Sequence, residues 1–397
     1  MDQVVLVASS VSAEHGSEPQ VGWRWLEAFA SLHPVRLVVD PFWKPHFEEH
    51  LRRSGFGRNV QVAYVCMPLA RFLNPNQLLF IRHHWWLFRV RRLLASSPRG
   101  LGAEAVAYVT LSATYFFPFA LLGVRRLWWG PVGGGFDVPH EVKRGLPLRW
   151  QVSETVRTFV SRQVRGIAAW LKSRSSTDWF TVARTPAAAV ELEQSLHLPV
   201  RAVIPEPIVL SVEVGAVVNG GARRRNHYAA GAQFAFVGDP RRPKKNFPLA
   251  LRLFRLAQRE EPACRLHVFG GYAPGAADAG VISHGMLQRA EFLSCLSQCD
   301  VLLFSSYREG YASTIREALA LGLTVIVLPV GGNLAFADDP RVVVLEPSSI
   351  RHESELVRAL HDAIMRTTNC TSHHFEPKDY TDEARRSINE WLAPPAL

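Results

Sequence analysis

Glu309 and Glu317 bracket seven residues in the stretch SSYREGYASTIREALAL, Ser305–Leu321. The apolar run Val301–Phe304 precedes them, and from Ser313 onward the pattern is helical. A strand, a glycine turn and a helix in that order aim backbone N–H groups, and the positive end of a helix dipole, at the space beyond the strand end. Gly310 opens the turn, and Ser313 or Thr314 can cap the helix. Such a turn suits anion binding, and a diphosphate in particular. Glu317, one turn into the helix, can accept both hydrogen bonds of a ribose diol. Glu309, on the loop, can touch sugar hydroxyls in the same crevice. A first-turn acid and a solvated loop acid are also ordinary features of a helix start, so the neighbouring segments decide between the two readings.

Upstream stands FVGDPRRPKKN, Phe236–Asn246, a strand end followed by a glycine turn, two lysines and an asparagine that opens a helix. Then come LHVFGG, Leu266–Gly271, the segment Ile282-Ser283-His284-Gly285, and a helix ending at Cys299-Asp300. Together with Glu309-Gly310, Glu317-Ala318-Leu319-Ala320 and the strand entry Gly322–Ile326, this order resembles the donor domain of the family-4 retaining glycosyltransferases. The resemblance covers Phe234 to about Gly332 closely. It implies the GT-B fold, α/β with two Rossmann-like domains whose parallel sheets face across a cleft. It further implies that Lys245 binds the donor diphosphate beside Gly238 and the backbone amides of Gly310, Tyr311 and Ala312. Glu317 would hold the ribose and Glu309 the transferred sugar. The base would lie near His284–Met286. Where many members carry arginine after the first glycine, this chain has Asp239, and Arg241 or Arg242 would have to substitute.

The first half echoes a bacterial subset of the same family at two places. One is Glu14-His15-Gly16-Ser17-Glu18-Pro19 with Gly22-Trp23-Arg24-Trp25, and the other is Trp129-Gly130-Pro131-Val132-Gly133-Gly134-Gly135. By resemblance, Gly16 would let the donor phosphates approach closely. Ser17, Glu18, Trp23, Gly133 and Gly134 would line the acceptor side. A helix-capping loop at Ser17 and a flexible glycine turn are the structural alternatives. Tyr108, two residues before Thr110, stands where many relatives have a histidine. Tyrosine can still donate a hydrogen bond, and His15 is a second candidate for that role.

Elements must hold these residues in place, and the pattern supplies them. Val4–Ala8 and Val35–Val39 read as buried strands, with a helix over Trp23–Leu32 between them. In the second half, strands are expected at Phe234–Val237, Leu266–Phe269, Val301–Phe304, Thr324–Leu328 and Val342–Leu345. Helices are expected at Pro248–Gln258, Arg289–Cys299 and Ser313–Leu321. Alternating strands and helices imply doubly wound parallel sheets. Pro205-Glu206-Pro207, Asn219-Gly220-Gly221 and Arg223-Arg224-Arg225 mark a linker. The expected division is an acceptor domain at 1–205, a linker at 206–232 and a donor domain at 233–379. A terminal helix within 380–397 would return to the first domain.

The chain has 397 residues, of which 48% are apolar and 20% charged, values that exclude disorder as a first reading. Its net charge of +10 points to acidic partners, among them nucleotide, phosphate, anionic lipid and nucleic acid. The five cysteines, Cys66, Cys264, Cys295, Cys299 and Cys370, are too scattered for a disulfide framework and lack metal-site spacing. No Asp-any-Asp motif follows a strand, and the resemblance implies transfer without a metal, from a UDP- or GDP-linked sugar and no other cofactor. The start lacks a signal-peptide pattern, and the longest apolar stretch, near Phe116–Val124, falls short of the ~20 residues that span a bilayer. A cytoplasmic location at the inner membrane face is therefore expected. The run Arg82–Arg92 mixes aromatic and basic residues, as a helix lying on an anionic bilayer does. An ordinary packed helix, or stacking on single-stranded nucleic acid, would use the same residues, but no RNA-binding motif supports the latter.

The expected activity is retaining transfer of a hexosyl unit from a nucleotide sugar to a glycan or lipid-linked acceptor, in bacterial surface polysaccharide synthesis. The competing readings are a non-catalytic nucleotide-sugar scaffold or sensor, and a nucleotide-sugar epimerase of the same fold.

Overall fold

The computed structural model describes residues 3–13, 18–68, 79–96, 105–111, 113–133, 137–206, 231–273, 280–369 and 379–393. His15, Gly16, Ser17 and Gly134, along with most of the expected linker, lie outside the described residues. By its contacts the chain divides into two units. The first takes Met1–Gly135, Phe159–Ile208 and Asp379–Leu397, and the second takes Phe136–Thr158 and Val209–Lys378.

The first unit is built in chain order from β1 (Val4–Val7), α1 (Glu18–Ala30), β2 (Val35–Val39), α2 (Lys44–Arg53), β3 (Val60–Tyr64), α3 (Leu79–Ala95), β4 (Ala105–Tyr108) and β5 (Arg126–Val132). The chain then passes through α4 (His140–Arg144), which belongs to the second unit, and the long helix α5 (Leu148–Lys172), whose residues from Phe159 onward belong to the first; β6 (Asp178–Ala183), α6 (Pro186–Leu196) and β7 (Val200–Val203) complete the first unit. Among the described residues its sheet has the order β3-β2-β1-β4-β5-β6-β7, and every pairing is parallel. Parallel strands covered on both faces are near-continuous apolar runs. Accordingly, VVLV of β1 is wholly buried.

Helix α1 turns Val21, Trp25, Leu26 and Phe29 into the core. There Trp25 and Phe29 meet Trp128 of β5 edge-on at 5.4 Å each. Trp23 is in this core as well. It is 7% exposed, with its ring 5.6 Å from Phe56 and 6.3 Å from His50. The expectation that Trp23 lines an acceptor site is thereby corrected. The alternation of Trp23 and Trp25 places both indoles on buried sides of the helix.

A second buried knot joins α3 to β4. His83 and Tyr108 are both wholly buried, and His83 Nε2 lies 2.6 Å from the Tyr108 hydroxyl. Burial, and the neighbouring His84, push the His83 imidazole down to about 3. Burial brings His84 to about 4, against a hydrogen bond to the Tyr115 backbone that works the other way. Both rings are neutral in the folded protein at physiological pH. Unfolding frees them to take up protons below their ordinary 6.5, so stability falls as pH drops from there. Each group contributes up to about 1.4 kcal/mol per pH unit until its folded value is reached. Urea titrations at pH 7 and pH 5 should show this loss. His83→Leu should lose less between the two pH values than the unaltered chain, and an equal loss would show that His83 is not the sensor.

The second unit continues with β8 (Gln233–Val237), α7 (Phe247–Glu260), β9 (Arg265–Phe269), β10 (Val281–Gly285), α8 (Arg289–Leu296), β11 (Val301–Phe304), α9 (Ser313–Ala320), β12 (Thr324–Val327), β13 (Val342–Val344) and α10 (Glu353–Asn369). Its sheet, among the described residues, has the order β10-β9-β8-β11-β12-β13, again all parallel. The segment 136–158, assigned from sequence to a first domain ending at 205, belongs to this unit instead. Val138, Val142 and Leu146 are buried in its core with Ile350 and Leu356.

The last helix, α11 (Thr381–Leu392), belongs to the first unit. Ala384, Ile388 and Trp391 form its buried stripe. The Trp391 ring packs 6.0 Å from Phe29 and 5.7 Å from Trp128. No helix among the described residues is long and apolar enough to cross a membrane.

Candidate functional site

In the second unit, the loops leaving the C-terminal ends of β8 and β11 lie against one another. Lys245 Nζ donates to Glu309 Oε1 at 2.7 Å, and Ser306 Oγ donates to the same oxygen at 2.8 Å. The Lys245 stem runs over Gly238, whose φ is +136°. A Cβ there would stand 3.0 Å from three carbons of that stem, so only glycine gives the lysine this path. The two loops are also stitched by backbone. Ser305 Oγ donates to the Lys245 carbonyl at 2.9 Å, Ser306 Oγ lies 2.9 Å from the Lys244 carbonyl oxygen, and the Tyr307 amide donates to the Lys244 carbonyl at 3.1 Å.

The Glu309–Gly310 turn is held from its other side as well. The Gly332 amide donates to the Glu309 carbonyl at 3.0 Å. A Cβ at Gly332 would come within 2.3 Å of the Gly310 carbonyl oxygen, so a side chain here would push the turn out of place. Asn333 is wholly buried and donates to the carbonyls of Ser306 and Leu328 at 3.1 and 3.2 Å.

The electrostatics favour an anion. Burial works to raise the Glu309 carboxyl, but the charges of Lys245 and Lys244, with hydrogen bonds from Lys245 and Ser306, outweigh it and hold the group below its usual range. Burial lowers the Lys244 ammonium. Glu309 attracts it, while Lys245, Arg308 and Arg242 repel it. Several like charges gathered around one carboxylate make a spot that a multiply charged anion relieves. Lys244 and Ser306 were not singled out from sequence. The doubled lysine and doubled serine were visible, but nothing in the spacing said which of each pair faces the site.

Glu317 is 6% exposed, and Arg289 Nη1 from the start of α8 lies 3.0 Å from its Oε1. The carboxylate is thus pre-aimed by a guanidinium from another element, which no local pattern marks. Tyr311 packs on Phe336 at 5.2 Å, and Ala312 is buried. His284 Nε2 lies 2.9 Å from His267 Nδ1, and His267 Nε2 lies 3.0 Å from Gln233 Oε1. The His284 ring stacks on Phe269 at 4.7 Å. Met286 is 84% exposed beside it. Of the two arginines offered as substitutes at Asp239, Arg241 is committed elsewhere. Its Nε and Nη2 contact the Asp239 carboxylate at 3.0 and 3.2 Å. Asp239 is held low chiefly by that side-chain hydrogen bond, against burial. Arg242 is exposed on the same loop.

In the first unit, Glu18 and Gly133 come together with two residues that sequence did not single out. Glu18 Oε1 accepts from the Leu111 amide at 2.5 Å, and Glu18 Oε2 is 3.7 Å from Arg184 Nη2. A Cβ at Gly133 would strike the Arg184 side chain at 2.5 Å. Leu111 has φ +52°, and the Tyr108 hydroxyl donates to its carbonyl at 3.3 Å. Tyr108 is therefore not a surface donor awaiting substrate. It is wholly buried, its hydroxyl is spent on His83 and Leu111, and burial with the nearby Glu18 charge pushes its phenol well up. Among the described residues, no group of three His, Cys, Asp or Glu is placed to hold a metal ion.

Two all-parallel sheets of seven and six strands, with helices alternating between strands in each unit, define a two-Rossmann GT-B fold. Residues 231–365 match the family described as Glycosyl transferases group 1. The chain is similar, at 34% identity over 84 residues, to the Escherichia coli K12 protein named as a colanic acid biosynthesis glycosyl transferase, WcaC. That match covers 21% of this chain and 20% of the relative, so the chain spans about a fifth of the length of the relative it matches. Among solved structures, WaaG, a glycosyltransferase involved in lipopolysaccharide biosynthesis, superposes with a TM-score of 0.56 at 14% identity. The match covers 98% of this chain and all of WaaG. HepE from Anabaena, solved with UDP and glucose, gives 0.53 at 11% identity, covering 98% of each chain. At these identities the likeness is one of fold.

Proposed function

We propose that the protein is a retaining glycosyltransferase that moves a hexosyl unit from a UDP- or GDP-linked sugar to a glycan or lipid-linked acceptor in surface polysaccharide synthesis. The observation that carries this reading is the Lys245–Glu309 pair, stitched between two strand-end loops beside Lys244 and one helix away from Glu317. In it a diphosphate displaces the Glu309 carboxylate from Lys245, freeing that carboxylate for sugar hydroxyls. Lys245, Lys244 and the amides near Gly310 then stabilise the charge that develops on the departing diphosphate. No protein nucleophile is assigned. The departing phosphate oxygen takes the acceptor proton on the face it leaves, which preserves the anomeric configuration. No metal takes part, because cationic side chains and helix-end amides do that work.

A thermal-shift screen of UDP, GDP, ADP and their sugar conjugates, with and without EDTA, tests the donor site. A ligand at about 100 times its Kd adds about 2.7 kcal/mol, so one nucleotide should raise Tm clearly and EDTA should leave the shift unchanged. No shift with any of them would turn the reading toward a scaffold. Product formed from the nucleotide sugar without acceptor would turn it toward an epimerase.

We assign membrane contact to α3, with one revision. Arg82 is buried and donates to the Pro68 carbonyl, and Arg91 donates to the carbonyls of Ala120 and Leu122. Ile81, Trp85 and Phe88 are each at least 51% exposed, and Arg89 and Arg92 share their side of the helix. Trp85→Ser with Phe88→Ser and Arg92→Glu should lower partitioning onto phosphatidylglycerol vesicles severalfold at unchanged Tm. Unaltered partitioning would remove α3 as a contact.

A further inference from the structure

Helix α5 is apolar on its outside and charged on its inside, the reverse of a helix on a water-facing surface. Leu148, Val152, Val156, Phe159, Ile167 and Trp170 are between 54% and 75% exposed. At 3.6 residues per turn they fall within an arc of roughly 100°. On the inward side Glu154 and Ser161 are 2% exposed and Arg165 8%. Those groups are satisfied there. Glu154 pairs with Arg157 at 2.8 Å and Arg308 at 3.2 Å, and Arg165 meets Ser161 at 3.1 Å and Glu191 at 3.2 Å. The inversion is thus stably built, and among the described residues it leaves an outward apolar stripe, interrupted midway by the exposed Gln163.

We propose that this outer face of α5 docks on an anionic lipid bilayer. Charge selects that occupant. The only acid in α5 is Glu154, which points inward, while Arg149 and Arg162 are exposed beside the stripe. At the far end the Arg174 guanidinium lies 4.1 Å over the exposed Trp170 ring. A tryptophan with an arginine on its face suits the headgroup level, where the indole is half wet and the cation meets phosphate. A helix of 25 residues extends about 37 Å, and an apolar stripe of that length with basic flanks is the form of an interfacial helix. A second copy seated on the same face by two-fold symmetry would bring arginine against arginine, which disfavours that occupant. The proposal stands on α5 alone. It needs neither the nucleotide reading nor the α3 contact.

The test is co-flotation of the full chain with vesicles of 30% phosphatidylglycerol in phosphatidylcholine, and with phosphatidylcholine alone. Val152→Ser, Val156→Ser and Phe159→Ser together should lower binding to the anionic vesicles at least tenfold. Arg149→Glu with Arg162→Glu, which spares the apolar face, should lower it severalfold and more steeply at low salt. All five positions are exposed and α3 is intact in both variants. Tm and the nucleotide-induced shift should stay as in the unaltered chain, so failure here is distinguishable from failure of the donor site. Unchanged flotation of the serine variant overturns the proposal. So does equal binding to vesicles without anionic lipid. So does a concentration-dependent dimer in sedimentation equilibrium that the serine substitutions abolish, since the stripe would then be a contact between copies.

Discussion

Lys245→Ala is expected to lower the rate of transfer at saturating donor by about 10²- to 10³-fold, the usual cost of removing one preorganised charge from a developing oxyanion. The lysine is not interchangeable. Its stem is threaded over Gly238, and its ammonium is fixed by Glu309 at 2.7 Å and lies 5.5 Å from the centre of the Phe304 ring. Arginine has a rigid planar fork in place of a point charge, so Lys245→Arg should recover little of the rate. A steady-state assay with the donor varied reads this out, and a rate within threefold of the unaltered chain would remove Lys245 from the chemistry. Stability carries a second signature. With its folded value depressed, Glu309 contributes stability that is present above the ordinary carboxylate range and is lost as pH falls through the lowered folded value. Without Lys245, burial is less opposed, the depression shrinks, and the acid-side loss becomes smaller.

Glu317→Gln is expected to weaken nucleotide binding by about 10- to 100-fold, because a charged acceptor facing a hydroxyl pair is worth about 1.5–3 kcal/mol. Arg289, whose side chain is 35% exposed, can turn to solvent when its partner is neutralised, so the fold should survive. Calorimetry with a nucleotide diphosphate and with its 2′,3′-dideoxy analogue separates the role from mere packing. The variant should lose affinity for the first and little for the second. An equal loss for both would mean that Glu317 organises the helix and does not touch the ribose.

Much of this arrangement could be read from the chain. The runs at Val35–Val39 and Val301–Phe304 are strands with the expected ends, and the helix expected within 380–397 is formed by Thr381–Leu392. Where a buried strand is a continuous β-branched run, or a helix keeps one apolar stripe, local pattern and tertiary environment agree. Lys245 and Glu309, 64 positions apart in the chain, were assigned to one ligand and are in contact. The failures have physical causes. Trp23 and Tyr108 carry polar atoms on large apolar bodies, and sequence does not say which end wins. Here packing against Phe56 and the hydroxyl's bond to His83 decide it. Arg289 at Glu317, and Arg184 at Glu18 and Gly133, are tertiary partners from other elements and leave no local trace. Helix α5, for which no expectation is drawn from the sequence, shows a further limit of local pattern. Its apolar stripe has the period of a core-facing helix, yet the stripe faces out, because the ion pairs of Glu154 and Arg165 claim the inside.

Those ion pairs make α5 a shared part. One turn of the helix shows Val156 outward and Glu154 inward, and Glu154 grips Arg308, the residue just before Glu309. The segment that carries Glu309 is thereby tethered, through the buried Glu154, to the helix whose other side is exposed. Thermodynamic linkage then makes the traffic two-way: if seating α5 alters the hold on a nucleotide by some factor, a bound nucleotide must alter the seating of α5 by the same factor.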